Sequence, residues 1–230
     1  MRIAILQSTN FKKFGAEYLM IVISILTALA LEDFAQDLSR RGLANQASIK
    51  IDAEIEANIV ELDKVITHNQ SQAFKMEAMR KNLLADIKKD MGETALRERI
   101  LSNYQDAFDL SIRSPSLRRE AWEVAVANQS VSWMPGKELN RYSIIYASMR
   151  DLQAVHSGMN NYFLDGPQMM NVGSDAQMGV VAPRDVYRMI NQIINSYQSI
   201  NGNLRNLRAE LATAAAANPA SKTKNKAKPS

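Results

Sequence analysis

Few residues of this sequence are of the types that do chemistry, and those few are poorly spaced for it. The chain holds two histidines, His68 and His156, and no cysteine. A zinc site needs three or four converging ligands, and neither histidine has a His or carboxylate partner at the spacing of an HExxH helix. Both are expected as packed core or interface histidines. Without thiols, disulfides, thiolate metal sites and cysteine nucleophiles are excluded, although the compartment stays open because exported proteins can also lack Cys. Met159, Met169, Met170 and Met178, with His156, offer the soft thioether donors that Cu(I) prefers. The plainer reading is that Met fills cores and binding surfaces, since twelve are scattered along the chain. No GxSxG, GxxxxGK[ST] or GxGxxG is present, and Gly173-Ser174-Asp175 is too short to mean more than a turn. Glu54, Glu56 and Glu61 read as solvated helix faces. Asn69 and Arg80 read as polar seam positions that set register or partner choice, and Trp122 and Trp133 as core anchors. The inventory predicts no enzyme, no cofactor and no metal.

The elements that would position these residues are helical throughout. Ile55, Leu62, Asn69, Met76 and Leu83 recur every seven residues, with Ile59, Ile66, Ala73 and Ile87 four residues after members of that series and Arg80 as the exception. This alternation defines a seam for packing against other helices. Asp90-Met91-Gly92 reads as a stop. A second helix is predicted over 93–109, with Leu96, Ile100, Tyr104 and Phe108 on one side. Pro115 suits the first turn of a third helix carrying Trp122, Val124 and Val126. After Pro135-Gly136 a fourth helix carries Leu139, Tyr142, Tyr146, Met149, Leu152, His156, Met159 and Phe163. Residues 166–183, with three Gly, two Pro and three Met, read as a long loop. The last helix, predicted over 183–212, has the cleanest seam: Val186, Ile190, Ile193, Tyr197, Ile200, Leu204, Leu207 and Leu211. Beyond it, residues 213–230 read as a disordered basic tail.

Ahead of these helices lies an uncharged run, Tyr18 to Leu31, bracketed by Glu17 and by Glu32 and Asp33. Its apolar members Tyr18, Leu19, Met20, Ile21, Val22, Ile23, Ile25, Leu26, Leu29 and Leu31 lie all round a helix, not on one stripe. Fourteen residues are short for a bilayer, but residues 11–35 suffice if Lys12 and Lys13 snorkel outward. The expected element is a transmembrane anchor following a 1–10 tail. A cleaved signal peptide ending near Ala28-Leu29-Ala30 and a soluble core helix are the competing readings. Flanking positive charges tie at two each, and a short N-terminal tail tips the expected orientation to N-in, with residues 36–212 outside the cytoplasm. The anchor is expected to run, with little break beyond Gly42, into a rod reaching about Lys88.

The anchor region resembles that of an uncharacterised family of small bacterial single-pass membrane proteins. The resemblance rests on Gly15-Ala16-Glu17, on Ser24-Ile25-Leu26-Thr27-Ala28-Leu29 and on Glu32-Asp33-Phe34. Glu54-Ile55-Glu56-Ala57-Asn58 and Ala121-Trp122 resemble the family's next helix and its single-Trp segment. It implies a helical, single-pass protein of the bacterial inner membrane and brings no activity with it.

Charge excludes one further class. The net charge of +4 is carried entirely by Lys222, Lys224, Lys226 and Lys228. The remainder is neutral, which argues against a specific nucleic-acid-binding face. The sequence therefore predicts an all-α fold: an N-terminal transmembrane helix continuing toward a long helix, then an antiparallel bundle. Its partners are expected to be the membrane and either another protein or a second copy, met through the helix seams Ile55, Ile59, Leu62, Ile66, Met76, Leu83 and Ile190, Ile193, Tyr197, Ile200, Leu204, Leu207. An interaction or scaffold role is the first functional expectation. A ligand-binding sensory input domain is the second.

Overall fold

The computed structural model of the chain describes residues 6–89, 91–103, 112–162 and 166–217 and, within them, the side chains of 14–89, 91–103, 112–155 and 168–217. The described residues are all-helical, with no strand among them. In chain order the helices are α1 (Leu6–Lys88), α2 (Glu93–Asn103), α3 (Glu120–Ala127), α4 (Gly136–Tyr162), α5 (Gly166–Gln177) and α6 (Pro183–Ala216). A 3-10 turn, Ser130–Trp133, joins α3 to α4.

α1 is a single helix of 83 residues, about 125 Å long at 1.5 Å per residue. It passes through Gly42 unbroken, so the expected rod is continuous from the apolar run to Lys88. α6 lies antiparallel against its second half. The pairs Arg208–Asp63, Arg205–Gln70, Gln198–Glu77 and Arg80–Asn191 descend α6 as they ascend α1. Between them the two predicted seams meet. Ile55, Leu62, Met76 and Leu83 of α1 and Ile190, Ile193, Tyr197, Ile200, Leu204 and Leu207 of α6 are all buried. Each fully buried aliphatic contributes about 1.5–3 kcal/mol relative to exposure. That readily offsets the roughly 1 kcal/mol helix cost of Gly202.

The second track of the α1 seam is shifted from the predicted one. Ile66 is buried and Ile59 half-buried, but Ile87 is exposed. The buried track instead runs through Ile51, Asn58 and Val65, because α3, α4 and the segment before α3 cover that side of the helix.

Two apolar clusters divide the bundle along its length. The first joins residues 44–66 of α1 to α3, α4 and the C-terminal half of α6. The second joins Met76 and Leu83 to α2, α5 and the N-terminal half of α6, and Arg99 of α2 holds Asp86 of α1 at 2.8 Å.

Three boundaries differ from expectation. Pro115 opens no helix: residues 112–119 are irregular and α3 starts at Glu120. Residues 166–177 are helix, not loop, because Met169, Val172 and Ala176 form a short apolar stripe on the second cluster. Gly179 (φ 71°) closes α5 in a left-handed cap, with Val180 N–H donating to Asp175 O and Gly179 N–H to Ala176 O. Finally, α6 continues past 212 to Ala216, since the alanines are strong helix formers and Ala214 is buried in the first cluster. The tail lysines, residues 104–111 of the predicted second helix, Phe163 and the side chains of His156 and Met159 lie outside the described residues.

Candidate functional site

α1 contains one stretch long and apolar enough to cross a membrane, with a mean hydropathy of 2.0 and none of it buried. Tyr18, Leu19, Met20, Ile21, Ile23, Ile25, Leu26, Leu29 and Leu31 are all more than half exposed, and Val22 is half-buried only by its own helix neighbours. The two hydroxyls in the run bond back to their own helix, Ser24 to Met20 O and Thr27 to Ile23 O, both at 2.8 Å. Hydroxyls surrounded by lipid need that internal acceptor. Among the described residues no element packs on the run, which does not fit the core-helix reading.

Beyond this run, four polar residues of α1, Asp52, Glu54, Asn58 and Asn69, are engaged by the chain between 112 and 146. Asn69 (fully buried) donates to Arg113 O and accepts from Arg113 N–H, both at 2.9 Å. Asn58 repeats the pattern on Arg118, at 2.9 Å to the carbonyl and 2.8 Å from the amide. The match is geometric. Eleven helical residues rise about 16.5 Å, and so do the five extended residues from Arg113 to Arg118 at about 3.3 Å each. A helix over the same five residues would cover less than half that distance. This is why Pro115 starts no helix: two carboxamides on α1 hold the backbone extended.

Nearer the apolar run, Glu54 accepts from Ala121 N–H at 2.8 Å and from the Tyr146 hydroxyl. Glu54 is thus a buried carboxylate and not the solvated one expected; Glu56 is exposed and Glu61 half-buried. The Trp122 ring stacks on Tyr146 at 5.2 Å between centroids and tilts against Tyr142 at 6.5 Å. Arg141 donates to Ala214 O at 2.7 Å and to Asp52 at 3.3 Å, tying α1, α4 and α6 together.

Burial dominates the electrostatics here. It raises the Tyr146 phenol above its ordinary value, with the Glu54 hydrogen bond adding to the effect, and raises Tyr142 chiefly for the same reason. Burial also raises the Asp52 carboxyl, against the pull of Arg141. Glu120, by contrast, is lowered, first by its own backbone N–H at the start of α3. The Tyr146 and Tyr142 phenols donate to Glu54 and Glu138, and each Glu54 oxygen accepts one bond. The cluster pins α3 and α4 to α1.

The remaining expected site residues are dispersed. Met169 is buried, whereas Met170 and Met178 point outward, so these three thioethers do not converge. Among the described residues no group of His, Cys, Asp and Glu is arranged to hold a metal ion. His68 is half-buried beside the seam. Trp122 packs as expected, but Trp133 is not a core anchor. It is 44% exposed, with the Arg40 guanidinium 4.3 Å above its ring, because the 3-10 turn lays it across α1 at the membrane-proximal end. Arg80 reaches Asn191 at 3.1 Å, a cross-seam bond within the chain. A groove of about 180 Å³ lies between α1 and α6, lined by Gln70, Phe74, Glu77, Gln198, Asn201 and Arg205. An adjoining open groove of about 600 Å³ is lined by Phe74, Ala78, Arg80, Lys81, Leu84 and Tyr187.

Sequence reasoning missed Glu54, Asn58, Tyr142 and Tyr146 as one linked set. The available signal was polar residues at seam positions: Asn58 is eleven residues before Asn69, three helical turns along the same face.

No protein-family model matches the chain, and no curated protein or solved structure matches it either.

Proposed function

We propose that the chain is a single-pass protein of the bacterial inner membrane, N-terminus in the cytoplasm, whose bundle stands outside and serves as an interaction or scaffold component. The observation that carries this is the unbroken passage of α1 from an exposed apolar run into the bundle core. No hinge or linker separates the two, so the bundle is presented at a fixed height and azimuth. The two heptad seams are spent on each other, and Glu54, Asn58 and Asn69 are satisfied within the chain. What the bundle offers to other molecules is its outer surface. The resemblance of the anchor region supports the bacterial setting.

The test is protease protection. Protease added to intact spheroplasts is expected to remove the lysine tail near Lys222, and the same tail is expected to be protected in inverted vesicles. The opposite pattern would reverse the orientation, and release by alkaline carbonate would remove the anchor.

A further inference from the structure

Outside the membrane run, six large apolar side chains of α1 are more than a third exposed: Leu38, Leu43, Ile49, Val60, Phe74 and Ile87. Four of them, Leu38, Ile49, Val60 and Phe74, follow one another at intervals of eleven or fourteen residues. At 3.6 residues per turn these intervals return to nearly the same side of a straight helix. The side is the one turned away from α3 and α4. Gly42, Ala53, Thr67, Ala78 and Ala85 fill the positions between, all exposed, and an atom added at Gly42 would meet nothing within 4 Å. Glu56, Asp63 and Lys81 are the charges within the strip.

We infer that this strip pairs with the same strip of a second copy, side by side and parallel, as a two-fold dimer. The inference rests on the anchored reading and names its partner. Copies held by the same anchor in one bilayer point the same way, and the unbroken α1 brings each strip to the same height. A parallel two-fold contact then sets every residue close to its own counterpart. Unpaired charges oppose that arrangement, and of the strip's three, Asp63 is already neutralised by Arg208 at 3.0 Å. Size is sufficient. From Leu38 to Ala85 the strip is about 70 Å long, and at a helix contact width of about 10 Å it offers roughly 700 Å² per copy, within the range of specific stable interfaces. Lys64 and Lys75 border it on one side, and Glu77 on the other. Two-fold pairing turns the lysine border of one copy toward the Glu77 border of the next. Gly42 allows close approach just outside the membrane, as small residues do between packed helices.

The absence of Cys makes the test clean. Single cysteines replace Ile49 or Val60, and, as controls on α3 and α4, Val124 or Ile144, in the full chain in native membranes. Oxidation is expected to give covalent dimers at Ile49→Cys and Val60→Cys in several-fold excess over Val124→Cys and Ile144→Cys, since a disulfide needs Cα atoms within about 7 Å. Glu56→Gln is expected to raise the Ile49→Cys yield, and Val60→Glu to abolish it while the helix content of the chain is kept. Equal yields at strip and control positions, or indifference to Val60→Glu, would overturn the pairing. Impermeant maleimide on intact spheroplasts reads orientation separately through Ile144→Cys. Labelling without strip crosslinks refutes the dimer and leaves the anchored reading standing; strip crosslinks without labelling support the dimer and reverse the orientation.

Discussion

Asn58→Ala removes both hydrogen bonds that fix the backbone of Arg118, at 2.9 and 2.8 Å, and puts nothing in their place. Asn58 is 1% exposed, so water does not reach its side of the contact. Leaving one such backbone group unpaired costs about 1–3 kcal/mol, and solvent access from the exposed Arg118 side offsets part of it. The expected loss for the two groups together is about 2–4 kcal/mol. Urea unfolding of the full chain in mild detergent measures it, followed by Trp122 fluorescence in a Trp133→Phe background, since Trp122 begins only four residues beyond Arg118. Asn58→Asp supplies the internal control. At pH 7 it keeps an acceptor for the Arg118 amide but sets a charge against the Arg118 carbonyl, so its deficit is expected to match or exceed that of Asn58→Ala. That carboxyl is raised above its usual value of about 3.9 in the folded chain. The folded state then takes up the proton first, and the deficit relative to wild type shrinks as pH falls through the raised value, where the acid can donate again. A loss below about 0.5 kcal/mol for Asn58→Ala, within the range of ordinary surface substitutions, would refute the view that these carboxamides hold the segment.

Arg141→Ala is expected to cost about 1–3 kcal/mol through the lost contacts with Ala214 O and Asp52, its side chain being only 14% exposed. Because Asp52 is already raised by burial, removing its cation raises it further, so the cost measured by urea unfolding should be largest near neutrality and shrink on acidification. Tyr142 and Tyr146 are raised above the ordinary phenol value of 10.0. The stability they confer is whole below that value and lost as pH climbs above it; tyrosinate absorbance from these two should appear only together with loss of the circular-dichroism helix signal. Early, reversible ionisation of all seven tyrosines would contradict the burial. Gly179→Ala forces an L side chain to φ 71°, and a loss of about 1–2 kcal/mol, with fraying of α5 by hydrogen exchange, is expected.

Where the fold was legible, one local rule sufficed. The α6 seam is a 4-3 repeat with no exception, and every member is buried. The long apolar run announced both its helix and its exposure. Where it was not legible, the deciding partner lay far along the chain. Pro115 fits a helix start by local chemistry, yet Asn58 and Asn69, dozens of residues earlier, hold its neighbourhood extended. Residues 166–177 carry enough Gly, Pro and Met to mask a three-residue stripe that becomes a helix only against α6. Glu54 looks like one of several surface glutamates until Tyr146 arrives from 92 residues away. Asn69 was read as a partner-choice residue; its partner is the backbone of Arg113 in the same chain. The outward strip of α1 is masked in the sequence by the stronger periodicity of the opposite face.

On the proposed anchoring, the continuity of α1 also makes the anchor a lever arm. From Leu31 to Leu83 the helix extends about 80 Å, and membrane helices tilt by about 20° on average. A tilt of that size displaces the far apolar cluster sideways by about 25 Å and changes its distance from the headgroups by only about 5 Å. Bilayer thickness, which sets the tilt of an apolar segment, is thereby converted into a lateral swing at Leu83. Distances from a probe at that end to labelled lipids, compared across bilayers of increasing acyl-chain length, would trace the arc.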